Sequence, residues 1–263
     1  MAAESGKIDP MHQFQVQTIA DLFNVGGHQI AFTNSAAWML VAALALWAFM
    51  LMGMKRAVVP GRGQMIVENF VGFIDSMLAQ NIGPKGRAYL PYVFSLFMFI
   101  LFANVVGLLP FGLVGLHPFT VTSHFTVTGV LAIASFSIVL IVGLFKHGLR
   151  FFSLFAPKGT PIPVLLLVAP IEFVSFMVRP FSLALRLFVA MTAGHILLKV
   201  LAGFIINSSA AGAGIGVLVS VPSFALMVGV SALEMLVAGV QAYVFALLTS
   251  LYINDAVHLH DHH

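Results

Sequence analysis

From Ile162 to Ile206 the chain runs for 45 residues with no loop signal except Pro170 and Pro180, and most side chains in it are apolar or small. As a single helix the run measures about 68 Å, over twice a hydrocarbon core of roughly 30 Å, so it is expected to break or to lie steeply tilted in a bilayer. A second overlong run, 221–253, follows after NSSAAGAG. A transmembrane barrel shows alternating segments of about ten residues, which these continuous runs exclude. With 60% hydrophobic and 8% charged residues, and a mean hydropathy of +1.04, the chain lies far from the usual quarter of charged residues in soluble domains. The fold class is therefore an all-α integral membrane protein. About five membrane-crossing helices are expected, with an amphipathic surface helix, and the last two crossings form a long, steeply tilted hairpin.

The expected organisation is one membrane domain over residues 1–263. A polar N-terminal segment, 1–33, precedes helix one, 34–54, which is stopped by Lys55 and Arg56. Residues 64–82 repeat Ile66, Phe70, Phe73, Ile74 and Met77 at helical spacing with Glu68 and Asp75 elsewhere, the pattern of a helix lying on a membrane surface. Residues 91–110 and 127–145 form a helical hairpin, 162–206 and 221–253 the tilted hairpin, and 254–263 a tail. Lys55, Arg56, Lys85, Arg87, Lys146, Arg150 and Lys158 fall in connections sharing one side, whereas the loops near His117 and Gly212 carry no Lys or Arg. That side is cytoplasmic, or the matrix in a mitochondrion, which puts the N-terminus outside and the C-terminus inside; the lone Lys7 does not upset this.

Several chemistries are excluded. Zero cysteines removes disulfides and thiol chemistry. The N-terminus MAAESGKIDPMHQ lacks a basic region followed by an apolar core, so no cleaved leader is expected. A net charge of +3 without a dense basic run argues against nucleic acid. Gly212, Gly214 and Gly216 in GAGIG lack a preceding strand and a following Lys-Ser/Thr, so they read as turn glycines. The terminal HLHDHH reads as a solvated end and not a metal tract. No cofactor, metal site or hydrolytic machinery is expected.

An ionisable side chain inside a membrane costs about 2.5 kcal/mol or more, so each one marks a function until shown otherwise. Arg186 lies within PFSLALRLFVAMTAGH, and its guanidinium holds its proton at any physiological pH. On a helical wheel Glu172, Ser175, Arg179 and Ser182 fall within about 40° of Arg186, whereas His195 falls about 180° away. Arg186 thus separates two polar surfaces. Arg179, just before Pro180, reads equally as a helix-end residue snorkelling to a headgroup or pairing with Glu172. Glu234 and Gln241, seven residues apart, share a face of the next helix and are expected to align with His195 across the hairpin. An imidazole and a carboxylate coupled in low dielectric exchange protons near neutral pH.

RPFSLALRLFVAMTAGH, Glu234 and QAYVFALLTSLYI, supported by ANVVGLLPF and TSHFTVT, resemble the a subunit of rotary F-type ATP synthases, in the alphaproteobacterial and mitochondrial style. The resemblance covers nearly the whole chain. It implies a non-catalytic subunit with two offset proton half-channels, which load and unload carboxylates on a rotating c-subunit ring and so couple proton flow to ATP synthesis. It assigns Arg186 to the essential arginine facing that ring, His195, Glu234 and Gln241 to the outer half-channel, and Glu172, Ser175 and Ser182 to the inner one. It implies the c-ring, peripheral-stalk b-type subunits, the rest of the synthase and the lipid bilayer as partners. Many members carry asparagine four residues after the arginine, where this chain has Ala190. Water or Thr192 is expected to substitute. The compartment implied is a bacterial inner membrane, with the mitochondrial inner membrane as the alternative. A stand-alone secondary transporter holding an anionic substrate on Arg186 is the competing reading, although no internal repeat supports it. A scaffold whose charges only fix helix register is the other.

Overall fold

The computed structural model describes residues 16–25, 28–53, 61–109, 120–148, 151, 162–209 and 213–258. Lys7, Lys55, Arg56, His117, Arg150, Lys158, Gly212 and residues 259–263 of the HLHDHH tail lie outside the described residues.

Two short strands, β1 (Thr18–Val25) and β2 (His28–Thr33), pair antiparallel with Phe23 opposite Ile30. The sequence reading expected no strand there, because short apolar runs carry little periodicity. Six helices follow: α1 (Asn34–Gly53), α2 (Arg62–Asn81), α3 (Leu90–Leu108), α4 (Phe125–His147), α5 (Ile162–Ser209) and α6 (Ala213–Val257). Among the described residues the architecture is all-α apart from the hairpin. Five helical segments among the described residues, all but α2, are long and apolar enough to cross a membrane.

Local signals explain several boundaries. Thr33 Oγ1 accepts the Ala36 N–H at 3.4 Å and caps the first turn of α1. The chain leaves α2 through Gly83, whose φ of +81° only glycine adopts without strain. α5 continues through Pro170 and Pro180 and does not break. Each proline removes one N–H and so one intrahelical bond, a loss that spanning helices tolerate. α5 also runs through Asn207 to Ser209 and α6 starts at Ala213, so Gly214 and Gly216 are helical and not turn residues.

The chain divides into two compact units, each discontinuous in sequence: Met1–Ala45, Leu101–His124 and Phe188–Gln241 form one, and Leu46–Ile100, Phe125–Leu187 and Ala242–His263 the other. In the first, the β-hairpin precedes α1, and buried Ala103, Val106, Val121, Met191 and Ala238 form an apolar core around buried Asn104, Thr122 and Glu234. Small residues at such positions let helix backbones approach closely.

The second unit has a larger aromatic core. Phe176 is 2% exposed and packs against Phe136 and Phe151 at centroid distances of 4.9 and 6.0 Å. Phe151 lies where a side chain at Gly143 would stand. α2 buries Ile74 and Met77 of the stripe read in the sequence together with Val67 and Leu78, while Ile66 and Phe73 of that stripe are exposed. Phe70 and Phe73 nevertheless both meet Phe97 at 6.1 Å. Hydrogen bonds from Asn81 Nδ2 to Ser250 Oγ (2.7 Å) and from Tyr92 Oη to Ser135 Oγ (3.0 Å) tie α2 to α6 and α3 to α4.

Candidate functional site

In the first unit, Glu234 lies midway along α6 at 3% exposure, and neither carboxylate oxygen accepts a hydrogen bond. Burying an ionisable group without such partners is costly and calls for a nearby group that can share its proton. His195 supplies one: its Nδ1 stands 3.5 Å from Glu234 Oε1. Gly194 makes that approach possible, since a Cβ there would stand 2.6 Å from the same oxygen. The expected alignment of His195 with Glu234 is therefore a direct side-chain pair. Gln241, at the end of this unit, is half-buried two turns along α6 from Glu234.

Further polar groups lie around this pair, and of these only Thr192 was named in the sequence as a candidate. Thr120 Oγ1 lies 2.5 Å from His195 Nε2. Asn104 donates to the Ala238 carbonyl at 3.1 Å and accepts from Thr122 at 2.7 Å, joining α3, α6 and the turn Val121–Ser123. Thr192 donates to the Ser123 carbonyl at 3.3 Å. The density of hydroxyls in FTVTSHFTVT was the sequence signal for Thr120, Thr122 and Ser123. A buried imidazole and carboxylate at this spacing are chemically able to share a proton.

In the second unit, Arg186 is exposed on α5, as is Ser175, while Glu172 and Ser182 are half-buried. Arg179 neither ends a helix nor stands alone. It donates to Asp255 at 2.7 Å, lies 3.9 Å from Glu172, and its guanidinium stacks over Phe176 and Tyr252 at 5.6 and 5.1 Å. Glu172 is the weaker of its two carboxylate partners. Asp255 belongs to α6 and not to a tail beginning at residue 254. A carboxylate directly after an apolar run was a signal for it, but nothing local named its partner. Tyr252 is within electrostatic reach of both Arg179 and Arg186.

The fold and these side chains define a polytopic helical membrane protein with a buried imidazole–carboxylate pair on two overlong helices and a permanently charged arginine on one of them. The chain belongs to the ATP synthase A chain family, whose model matches residues 36–254. It is 68% identical over 261 residues to ATP synthase subunit a of Sphingopyxis alaskensis, covering 99% of this chain and 100% of that one. It is 66% identical to ATP synthase subunit a of Erythrobacter litoralis over 262 residues, with 99% and 100% covered. For the subunit of the same name from Zymomonas mobilis the identity is 56% over 266 residues, with 98% and 100% covered. The chain is a non-catalytic, proton-channel membrane subunit of a bacterial F-type ATP synthase. Family membership over most of its length sets aside the stand-alone transporter and the inert scaffold.

Proposed function

We propose that this subunit forms, as one membrane domain, the stationary wall along which a ring of c subunits turns, held by b-type peripheral-stalk subunits. His195, Glu234 and Gln241 line a half-channel from the outer side. Glu172, Ser175 and Ser182 line one to the cytoplasm, and Arg186 separates the two. The domain lies in the bacterial inner membrane with its C-terminus cytoplasmic, and the coupling ion is the proton.

The observation that carries this reading is the His195–Glu234 pair, 3.5 Å apart and buried within the first unit. A proton entering from outside is held there and handed to a ring carboxylate, which is neutralised and turns into lipid at low cost. Arg186 works in the opposite sense. A permanent guanidinium blocks direct passage between the half-channels. A ring carboxylate about 4 Å from it, at an effective dielectric near 20, is stabilised in its charged form by about 4 kcal/mol, roughly three pKa units before desolvation is subtracted. The ring site therefore releases its proton towards Glu172, Ser175 and Ser182. The gradient thereby gives rotation a direction.

The test is Arg186→Ala in the intact complex, with ATP-driven acidification of inverted membrane vesicles as readout and copurification as the check on assembly. Loss of pumping with assembly intact, together with passive proton conduction once the soluble head is stripped, supports the reading. Unchanged pumping would make Arg186 a structural charge.

A further inference from the structure

Thr120 is 5% exposed and precedes the short turn Val121–Ser123 that leads into α4. Its hydroxyl oxygen lies 2.5 Å from His195 Nε2, while the opposite ring nitrogen, Nδ1, faces Glu234. His195 thus has a hydroxyl in hydrogen-bonding contact with one nitrogen and a carboxylate 3.5 Å from the other. A hydroxyl can donate or accept, whereas each imidazole nitrogen does one or the other according to protonation. When Thr120 donates to a bare Nε2, the proton of the neutral ring must sit on Nδ1, pointing at Glu234. When the ring is doubly protonated, the same hydroxyl turns and accepts from Nε2–H. In both states Nε2 keeps its hydrogen bond.

The position of this hydroxyl is built by several independent contacts. Gly107 on α3 leaves the space, because a Cβ there would overlap the Thr120 side chain. Ser123 donates from its hydroxyl to the Thr120 carbonyl at 2.6 Å, closing the turn. Thr122 is anchored to Asn104, and Thr192, three residues before His195 on α5, donates to the Ser123 carbonyl. The turn is therefore fastened to α3 and to the same stretch of α5 that carries His195. Two charged groups face His195: Glu234 from α6 and Lys199, one turn further along α5.

We propose that Thr120 is a positioning residue for proton uptake: its hydroxyl holds the His195 ring through Nε2 in both protonation states and so keeps Nδ1 facing Glu234. The proposal rests on the outer half-channel reading given above, and it adds a residue from outside the long helices to that site.

The test compares Thr120→Val, which keeps the shape and removes the hydroxyl, with Thr120→Ser, which keeps the hydroxyl, and with His195→Ala. All are made in the intact complex and measured by ATP-driven proton pumping over a range of pH, with copurification as the assembly check. The expected result is a loss of about tenfold or more in Thr120→Val, the scale of a buried polar group left without its partner. Its pH profile is also displaced from the parental one, and Thr120→Ser recovers most of the rate and the parental profile. Parental rate and profile in Thr120→Val alongside a defective His195→Ala would overturn the proposal and leave the half-channel reading standing. Equal losses in the Val and Ser variants would overturn it too, since the side chain's shape and not its hydroxyl would then matter. Parental pumping in His195→Ala would overturn the half-channel reading, and this proposal with it. If Thr120→Val does not assemble, Thr120→Ala decides by the same criteria.

Discussion

Arg179 donates to Asp255 across 2.7 Å and joins α5 to the last turns of α6, while Glu172 on its own helix stands further off at 3.9 Å. The pair is a quarter to a third exposed, so it is screened more than a fully buried pair and less than a surface one. Asp255→Ala is expected to destabilise the subunit by about 1–3 kcal/mol, since the guanidinium keeps its aromatic stacking and Glu172 but loses its best acceptor. The charge-reversed double variant Arg179→Asp/Asp255→Arg should recover part of that loss. Thermal unfolding of the purified complex in detergent measures both, and a double variant no more stable than the sum of the two single changes would refute the coupling.

Gly194→Ala should impair pumping without unfolding the chain. The new Cβ would meet Glu234 Oε1 at 2.6 Å and Cδ at 2.8 Å, and a flexible carboxylate side chain moves before a helix does. Displacing the carboxylate from His195 by a fraction of an ångström to 1 Å is expected to lower the pumping rate on the order of tenfold to a hundredfold. Vesicle acidification at equal complex content is the measurement, and an unaltered rate would show that the pair's spacing is not critical.

Asn104→Leu is expected to cost about 1–3 kcal/mol, because it strands the buried Thr122 hydroxyl and removes the donor to the Ala238 carbonyl. Asn104→Asp keeps the acceptor for Thr122 and sets a carboxylate against that carbonyl, so it should be no milder. Thermal stability of the two variants, compared at one detergent concentration, tests this.

Arg186→Lys should fail nearly as badly as Arg186→Ala in coupled pumping. An ammonium in a low-dielectric site can lose its proton, and it lacks the planar fork of a guanidinium. Coupled transport at the parental rate in the lysine variant would refute this.

The polar residues differ in how legible they were. Glu234 and His195 stood out because an ionisable group within an apolar run is visible from the run itself, and the expected hairpin of the two long helices suggested that they face each other. Arg179 was equally visible, yet its partner Asp255 lies 76 positions away and had been assigned to the tail. Thr120 lies 75 positions from His195 in a short turn with no periodicity to read. Gly107 and Gly194 were silent as well, since the space a glycine leaves has meaning only once its neighbour is known.

The sequence by itself determined the all-α membrane class, the approximate extent of the long helices and the identity of the charged residues within them. These follow from continuous apolarity measured against bilayer thickness and from the desolvation cost of a buried charge, and both are properties of a local stretch of chain. The tertiary structure decided that α5 passes unbroken through two prolines, that α2 buries Val67 and Leu78 beside Ile74 and Met77 and leaves Ile66 and Phe73 exposed, and which hydroxyl and carboxylate His195 and Arg179 meet. Those outcomes depend on hydrogen bonds and close packing between segments far apart in the chain, whose geometry exists only after the helices have packed.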